Sequence, residues 1–195
     1  MKIIGLTGSI GMGKSTVADF LKQAGVPVFS ADNVTHQLYK SKPVISLIAS
    51  VFPSVIEDGK VNRLKLSEIL INDHEKLQIL EKIIHPLVQK KEQEFIKVAH
   101  QQGKELVVLD IPLLFETNSE KRVDSVIVVS APRAIQKARV MIRQDMSEEK
   151  FAFIDARQMP DKEKRKRADF IIDTGKDLEN TREQVFYVIK NLLKN

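Results

Sequence analysis

The sequence predicts an α/β protein built on a doubly wound parallel sheet of five strands, and two observations lead to this prediction. Apolar runs of strand length recur along the chain, and runs without polar alternation are typical of strands that helices cover on both faces. The first run is followed by helical spacing and then by a second run, which indicates the start of a β-α-β unit. The predicted strands are Lys2 to Thr7, Val26 to Ser30, Leu106 to Asp110, Ser125 to Ser130 and Phe170 to Asp173.

Helices are predicted from apolar residues that recur with a period near 3.6. The first helix has Val17, Phe20, Leu21 and Ala24 on one face, and Gly25 stands where a helix is expected to stop. The last helix carries its apolar face on Val185, Val188, Ile189 and Leu192.

Two insertions interrupt the sheet-forming chain. The stretch from Asn33 to Gln102 is predicted to be wholly helical, with Pro86 kinking or breaking its last helix after His85. It is too long for a connecting loop and is predicted to be a domain. The second insertion contains helices from Ile135 to Asp145 and from Ser147 to Gln158. The predicted organisation is a core of residues 1–32, 103–134 and 168–195, with insertions at 33–102 and 135–167.

Composition and charge limit the classes of protein to which the chain can belong. Hydrophobic residues make up 43% and charged residues 29%, which is typical of a soluble globular protein, and no apolar run is long enough to cross a bilayer. The start of the chain leaves no room for a signal peptide, so a cytoplasmic location is expected. The absence of cysteine excludes disulfides and thiolate metal sites, and the four histidines lack metal-ligand spacing. A net charge of +5 predicts anionic partners.

A phosphate-binding loop is predicted between the first strand and the first helix. Gly8 to Ser15 matches G-x-x-x-x-G-K-[ST] at every position. The glycines let backbone amides turn inward around a polyphosphate, Lys14 adds a charge near the transferred phosphoryl group, and the Ser15 hydroxyl is placed to bind Mg²⁺. A chance glycine-rich turn is the alternative. The predicted ATP-binding residues here are Gly11, Met12, Gly13, Lys14, Ser15 and Thr16.

The order of motifs resembles that of one family, the dephospho-coenzyme A kinases. Leu6 to Thr16 looks like the family's L-T-G-G-I-G-S-G-K-S-T opening, and Asp110 to Glu116 contains its P-L-L-F-E signature. Ala31-Asp32, His85-Pro86 and Ala168 to Asp173 are similar to its D-A-D, H-P and A-D-x-V-I elements. The resemblance covers nearly the whole chain, and P-L-L-F-E is its most specific motif because generic P-loop kinases lack it.

The departures from the family pattern are small. Ser9 and Met12 replace a usual glycine and serine at variable positions of the loop. Ser30 replaces the first acid of D-A-D, which leaves Asp32 as the only carboxylate there. Thr174 stands where many members have asparagine, a change that affects the expected adenine contacts.

The resemblance implies transfer of the γ-phosphoryl group of Mg-ATP to the ribose 3′-hydroxyl of dephospho-coenzyme A, with a nucleotide-kinase-like fold. It implies that Asp32 orients or deprotonates the acceptor hydroxyl; a cap for the next helix is the less favoured alternative. Arg63 matches an arginine that contacts the acceptor, or is a solvated surface residue. His85 is implied at the acceptor, or shapes the helix break. The implied acceptor-binding residues are Thr7, Asp32, Arg63, His85, Pro112 and Leu113.

Three further readings concern the strand after residue 105 and the second insertion. The segment Pro112 to Glu116 is expected to line the acceptor pocket, unless its apolar residues are core. Asp110 ends a run that resembles a Walker B strand and is a candidate to hold Mg²⁺ through water. Arg139 and Arg143 are four apart on a predicted helix, and residues 135–167 are interpreted as a lid whose arginines close over ATP; an ordinary exposed helix is the alternative. Lys14, Asp32 and Arg143 are the predicted catalytic residues.

Two other functions remain open at this stage. A kinase for nucleoside monophosphates or another small alcohol shares the loop and lid but does not account for P-L-L-F-E. A nucleic-acid-binding protein would explain the basic run from Arg157 to Arg167, but aromatic residues are only 6% and tryptophan is absent. The expected partners are therefore ATP and dephospho-coenzyme A, without nucleic acid or membrane. The sequence leaves the oligomeric state open, with a monomer favoured.

Overall fold

A central sheet of five strands organises the protein in the order β2-β5-β1-β6-β7. The computed structural model describes residues 1–71, 73–144 and 146–194, apart from the side chains of Ile71 and His74. β1 lies in parallel register between β5 and β6, and β6 pairs in parallel with β7, so the predicted doubly wound sheet is confirmed. The strands are β1 (Lys2–Thr7), β2 (Val28–Ser30), β3 (Ile56–Glu57), β4 (Lys60–Val61), β5 (Leu106–Asp110), β6 (Ser125–Ser130) and β7 (Phe170–Asp173).

Nine α-helices are found in the part of the chain that the structure describes. Short 3₁₀ turns precede β3 and β6, at Pro53–Val55 and Ser119–Arg122. The described helices include none that is both long enough and apolar enough to cross a bilayer. The helices are α1 (Lys14–Gln23), α2 (Ala31–Leu38), α3 (Lys42–Val51), α4 (Arg63–Ile71), α5 (His74–Gln101), α6 (Arg133–Met141), α7 (Glu148–Ala156), α8 (Asp161–Lys166) and α9 (Leu178–Lys194).

The chain divides into two compact units. The first contains residues 1–29 and the described residues from 98 onward, and the second contains residues 30–97. In the first unit, β1, β5, β6 and β7 present one buried face to α1 and α9. Ile4, Ile127 and Val185 are completely buried in this core. The apolar runs of the sequence are therefore explained by coverage of the sheet rather than by membrane contact.

The second unit has its own apolar core, formed around α3 by residues of α4 and α5. It is not wholly helical, and that prediction is wrong. β3 and β4 form an antiparallel hairpin in which Ile56 pairs with Val61 and Glu57 with Lys60. The two turn residues, Asp58 and Gly59, both have positive φ, the conformation for which Asp-Gly pairs are favoured in tight hairpins.

Pro86 does not break the helix that contains it. α5 runs from His74 to Gln101, and Pro86 lies inside its 28 residues. A proline removes one backbone donor, but the apolar residues of α5, including Leu80 and Ile84, are buried in the core of the second unit. This packing outweighs the lost hydrogen bond. Of the two predicted outcomes, a kink or a break after His85, the break is wrong and the kink stays a prediction.

The first helix of the second insertion begins two residues earlier than predicted and also ends earlier. α6 starts at Arg133 and ends at Met141, so Arg143 lies beyond the helix in a turn where its N–H bonds to the Val140 carbonyl. The prediction that Arg139 and Arg143 share a helix face is wrong for this reason. The predicted helix end at Asp145 lies outside the described residues. α7 begins as predicted, because the Ser147 hydroxyl accepts a hydrogen bond from the Lys150 N–H.

Candidate functional site

The loop from Gly8 to Gly13 connects β1 directly to α1. Gly11 and Gly13 have φ of 77° and 85°, a region that favours glycine. A Cβ atom on Gly11 would lie 2.5 Å from Val140 Cγ2 and 2.8 Å from the Gln136 carbonyl oxygen, so a side chain there would also collide with α6. Gly13 caps α1 without a side-chain hydrogen bond, and the first turn carries no acid. The N–H groups of this turn are therefore left for an anion.

Lys14 and Asp110 form an ion pair beside this loop. Their Nζ and Oδ1 atoms are 2.5 Å apart, and their side chains are 17% and 10% exposed. Asp110 ends β5 and lies opposite Leu6 of β1, so the pair stands at the carboxyl ends of two neighbouring strands. That edge is where α/β proteins bind ligands. Ser15 follows Lys14 and is exposed, and Thr16 is partly buried.

Two glutamines hold the middle of the loop. The Ile10 N–H donates to Gln158 Oε1 at 2.9 Å, and Gln136 Nε2 donates to the Ile10 carbonyl oxygen at 2.8 Å. Arg133 donates from Nη1 to Gln136 Oε1 at 2.6 Å and forms a two-pronged ion pair with Asp155, with both distances 2.8 Å. The hydrogen bond to Asp155 raises the pKa of Arg133. Sequence reasoning missed both glutamines, because a lone glutamine carries no motif.

Arg139 is tied to the segment after β7. Its Nη1 and Nη2 atoms donate to the Thr174 hydroxyl and carbonyl oxygens at 2.9 Å and 2.7 Å. The Thr174 hydroxyl in turn donates to the Met12 carbonyl oxygen at 2.7 Å. The Arg139 guanidinium is therefore fixed within one hydrogen-bonded step of the phosphate-binding loop. Arg143, by contrast, is exposed.

The segment after β5 is partly core and partly surface. Leu114 and Phe115 are buried, as the alternative interpretation held, whereas Leu113 is 38% exposed. The Thr7 hydroxyl donates to the Pro112 carbonyl oxygen at 2.9 Å and so fixes the start of this segment to the end of β1.

A buried ion pair joins the same segment to α8. Lys164 is completely buried, with its Nζ 2.9 Å from Glu116 Oε1 and 3.3 Å from the Pro112 carbonyl oxygen. Glu116 Oε1 also accepts a hydrogen bond from the Met159 N–H at 2.6 Å. Lys164 is therefore a structural residue, although the sequence grouped it with the basic run from Arg157 to Arg167.

A cavity of about 490 Å³ opens between the phosphate-binding loop and the segment that joins α7 to α8, within the first unit. One buried carboxylate oxygen on its wall, Asp161 Oδ1, has no hydrogen-bond partner among the described residues, while Oδ2 accepts from the Ser130 hydroxyl. The cavity places polar side chains of α6 to α8 around the loop. It is lined by Ser9, Met12, Ala131, Arg133, Gln136, Asp155, Ala156, Gln158, Met159, Pro160 and Asp161.

The remaining predicted residues belong to the second unit. Asp32 is exposed in the first turn of α2, and the cap of that helix is Ser30, whose hydroxyl accepts from the Asn33 N–H. The interpretation of Asp32 as the cap is therefore wrong. Arg63 begins α4 and His85 lies on α5, and both side chains are exposed. Burial raises the pKa of Tyr39, and the nearby positive charge of Arg63 partly opposes that rise.

The comparisons with known proteins agree with the geometry of the first unit. A family model described as dephospho-CoA kinase matches residues 2–180. A dephospho-CoA kinase of Bartonella quintana is 74% identical over 195 residues, the full length of both chains. A solved structure from Thermus thermophilus has a TM-score of 0.84 at 35% identity, covering 98% of this chain and 97% of that one. The dephospho-CoA kinase of Campylobacter jejuni has a TM-score of 0.68 at 27% identity, covering 100% and 98%.

A glycine-rich loop on the middle strand, a lysine at its end and a full-length match to one family lead to one conclusion. The chain belongs to the dephospho-CoA kinase family.

Proposed function

We propose that this chain transfers the γ-phosphoryl group of ATP to the ribose 3′-hydroxyl of dephospho-coenzyme A, giving coenzyme A and ADP, in the last step of coenzyme A biosynthesis. The observation that carries the proposal is the loop from Gly8 to Ser15, with Lys14 and Asp110 paired beside it in a chain of this family. Phosphoryl transfer depends on positioning and charge stabilisation more than on covalent chemistry. The roles below follow from that requirement.

ATP binds through the loop. The amides of residues 11–16 surround the β- and γ-phosphates, and Lys14 exchanges its contact with Asp110 for one with the transferred phosphoryl group. A hydroxyl and a carboxylate are the hard oxygen ligands that Mg²⁺ prefers, so Ser15 and Asp110 fit as the residues that hold this ion, directly or through water. When bound, the ion offsets negative charge on the phosphates.

The residues proposed to bind dephospho-coenzyme A are those that match the family motifs. Asp32 orients or deprotonates the acceptor hydroxyl, and the charge of Arg63 attracts the anionic groups of the acceptor. His85, Thr7, Pro112 and Leu113 complete the acceptor-binding set. The exposure of Asp32, Arg63 and Leu113 supports these roles, because a residue that contacts a diffusible substrate must be reachable.

Residues 135–167 act as the lid, and residues 33–102 as the acceptor-binding domain. Arg139 is an ATP contact and Arg143 a catalytic cation that offsets charge in the transition state. Exposure of Arg143 in the turn after α6 supports a group that reaches its ligand when the lid closes. We place the enzyme in the cytoplasm and favour a monomer.

A coupled assay of ADP release tests this function. Purified protein with Mg-ATP is supplied in turn with dephospho-coenzyme A, AMP, shikimate and a nucleoside. We expect turnover with dephospho-coenzyme A to exceed every other acceptor and to depend on Mg²⁺. Lys14→Ala is the control for contaminating kinases and is expected to abolish turnover. Equal or faster turnover with AMP would instead identify a nucleoside monophosphate kinase.

A further inference from the structure

One backbone amide of the phosphate-binding loop is unsatisfied in a way that points to its ligand. Gly11 is buried, and its N–H has no hydrogen-bond acceptor among the residues that the structure describes. Backbone N–H groups of buried residues are rarely left without an acceptor, so a bound group is expected to supply one. The orientation of this single N–H therefore matters for nucleotide binding.

Gln136 controls that orientation. Its Nε2 donates to the Ile10 carbonyl oxygen at 2.8 Å, and this oxygen belongs to the same planar peptide as the Gly11 N–H. In a trans peptide the C=O and N–H point in opposite directions. Holding the Ile10 carbonyl towards α6 therefore turns the Gly11 N–H away from α6. Gln158 holds the preceding peptide through the Ile10 N–H.

The side chain of Gln136 is itself fixed. It is 1% exposed, and its Oε1 accepts from Arg133 Nη1 at 2.6 Å. Arginine is only a donor and a carbonyl oxygen only an acceptor, so the amide cannot flip without losing both hydrogen bonds. Arg133 is oriented in turn by Asp155 and by the ring of Phe151, whose centroid lies 4.7 Å from the guanidinium carbon.

We propose that Gln136 is a positioning residue for the nucleotide, which aims the Gly11 N–H at the phosphates and links that amide through Arg133 to α7. The inference rests on the proposed ATP site but assigns a residue outside the phosphate-binding motif. Movement of α7 alters the direction of the Gly11 N–H through two side chains. The loop is thereby coupled to the segment that we assign as the lid.

Gln136→Met tests the proposal, because methionine preserves the shape of the side chain and removes its donor and acceptor. Gln184→Met is the matched control: the Gln184 amide also donates to and accepts from the backbone of one residue, Asp173, and makes no hydrogen bond with the loop from Gly8 to Gly13 among the described residues. We expect the dissociation constant for ADP, measured by calorimetry, to rise about tenfold in Gln136→Met and to stay within about twofold in Gln184→Met. The KM for dephospho-coenzyme A is expected to stay unchanged in both.

A spectroscopic measurement separates positioning from general stability. The measurement is NMR on protein labelled with carbonyl-¹³C isoleucine and ¹⁵N glycine. Only a glycine that directly follows isoleucine gives a signal in a ¹³C–¹⁵N-filtered spectrum, and this holds for Gly5 and Gly11. In the parent, ADP should shift the Gly11 signal far more than the Gly5 signal of β1. In Gln136→Met the ligand-free Gly11 signal should already be displaced, and its response to ADP should shrink, while Gly5 is unchanged.

A double variant tests the link to α7. If Arg133 acts through Gln136, then Arg133→Met together with Gln136→Met should weaken ADP binding no more than Gln136→Met alone. Additive losses would overturn the link. Parental ADP affinity with an unmoved Gly11 signal in Gln136→Met, or an equal loss in Gln184→Met, would overturn the positioning role. Failure of the parent itself to bind ADP would reject the proposed function instead.

Discussion

The carboxylate of Asp32 is exposed in the first turn of α2, and the hydroxyl of Ser30 already caps that helix. Asp32 is therefore free of a capping role and available to a substrate. We expect Asp32→Asn to lower kcat by about 10²- to 10⁴-fold, because asparagine cannot accept the proton of the acceptor hydroxyl. The affinity for ADP should be unchanged.

Asp58→Asn provides a matched control for Asp32→Asn. Asp58 is exposed in the same unit, and asparagine tolerates its positive φ. Both variants lose one negative charge, so we expect steady-state kinetics to show a large fall of kcat in Asp32→Asn and little change in Asp58→Asn. Parental turnover by Asp32→Asn would contradict the assignment of Asp32 to the acceptor.

The pair of Tyr39 and Arg63 gives a second prediction, for pH dependence. Burial raises the pKa of Tyr39 above its ordinary value of about 10, and the charge of Arg63 lowers it. The chain has two tyrosines, so Tyr187→Phe leaves Tyr39 as the only chromophore that ionises. Its ultraviolet titration should have a midpoint above 10, and adding Arg63→Gln should move the midpoint higher.

The sign of this shift also fixes its effect on stability. The folded state holds the Tyr39 proton more tightly than the unfolded chain does. The contribution of Tyr39 to the free energy of unfolding is therefore fully present below the pKa that Tyr39 has in the unfolded chain, and it is lost as the pH rises through its pKa in the folded protein. The same titration in concentrated denaturant supplies the unfolded reference. A native midpoint at or below that reference would show that Tyr39 is not buried as described.

The elements show where local sequence signals compete with packing. Asp58-Gly59 between Ile56 and Val61 is a hairpin signal, but it was hidden inside a stretch dominated by helical spacing. Pro86 is a helix-breaking signal that the core of the second unit overrides. Lys164 appeared as one of a run of basic residues, and only the fold places it beside Glu116.

The contact between Lys164 and Glu116 predicts a strong dependence of stability on the pair. Lys164→Met should lower the free energy of unfolding by about 3 kcal/mol, because it leaves the mostly buried Glu116 carboxylate without its cation. Lys164→Met with Glu116→Gln should recover most of that loss. Urea unfolding of the single and double variants measures both effects.

An exposed pair on the same helix gives the control. Lys166 and Glu163 are 2.9 Å apart on α8, but their side chains are 60% and 47% exposed. Lys166→Met together with Glu163→Gln should leave the urea concentration at the unfolding midpoint unchanged, since exposed ion pairs contribute little to stability. An equal loss from both pairs would mean that burial of Lys164 does not govern its contribution.

For the whole molecule, the sheet and the phosphate-binding loop could be predicted from sequence because both follow from local pattern. Four of the five strands have their predicted bounds, and β2 starts two residues later, at Val28. The contacts of Gln136 with Ile10 and of Thr174 with Met12 could not be predicted, because they join residues more than 100 positions apart through side chains without motifs. The roles of the acceptor and lid residues remain predictions.

Division into two units leads to a prediction for the whole chain. ADP should slow hydrogen exchange in residues 8–16 and in the segments around Arg139 and Thr174, and leave residues 40–97 nearly unchanged. A ligand at about 100 times its dissociation constant stabilises the state that binds it by about 2.7 kcal/mol. Mass spectrometry of the exchanged peptides gives the comparison, with Lys14→Ala as the control. Even protection of both units would contradict a nucleotide site confined to the first.

The strand that leads into the phosphate-binding loop, β1, is the middle strand of the five. β1 pairs with β5 and β6, whereas β2 and β7 lie at the edges of the sheet. Heating detaches peripheral strands before central ones, because they have fewer bonds to lose. The edge strand β2 leads directly into α2 and its Asp32, so fraying of β2 should reduce turnover at temperatures where the protein still binds ADP in a filter assay.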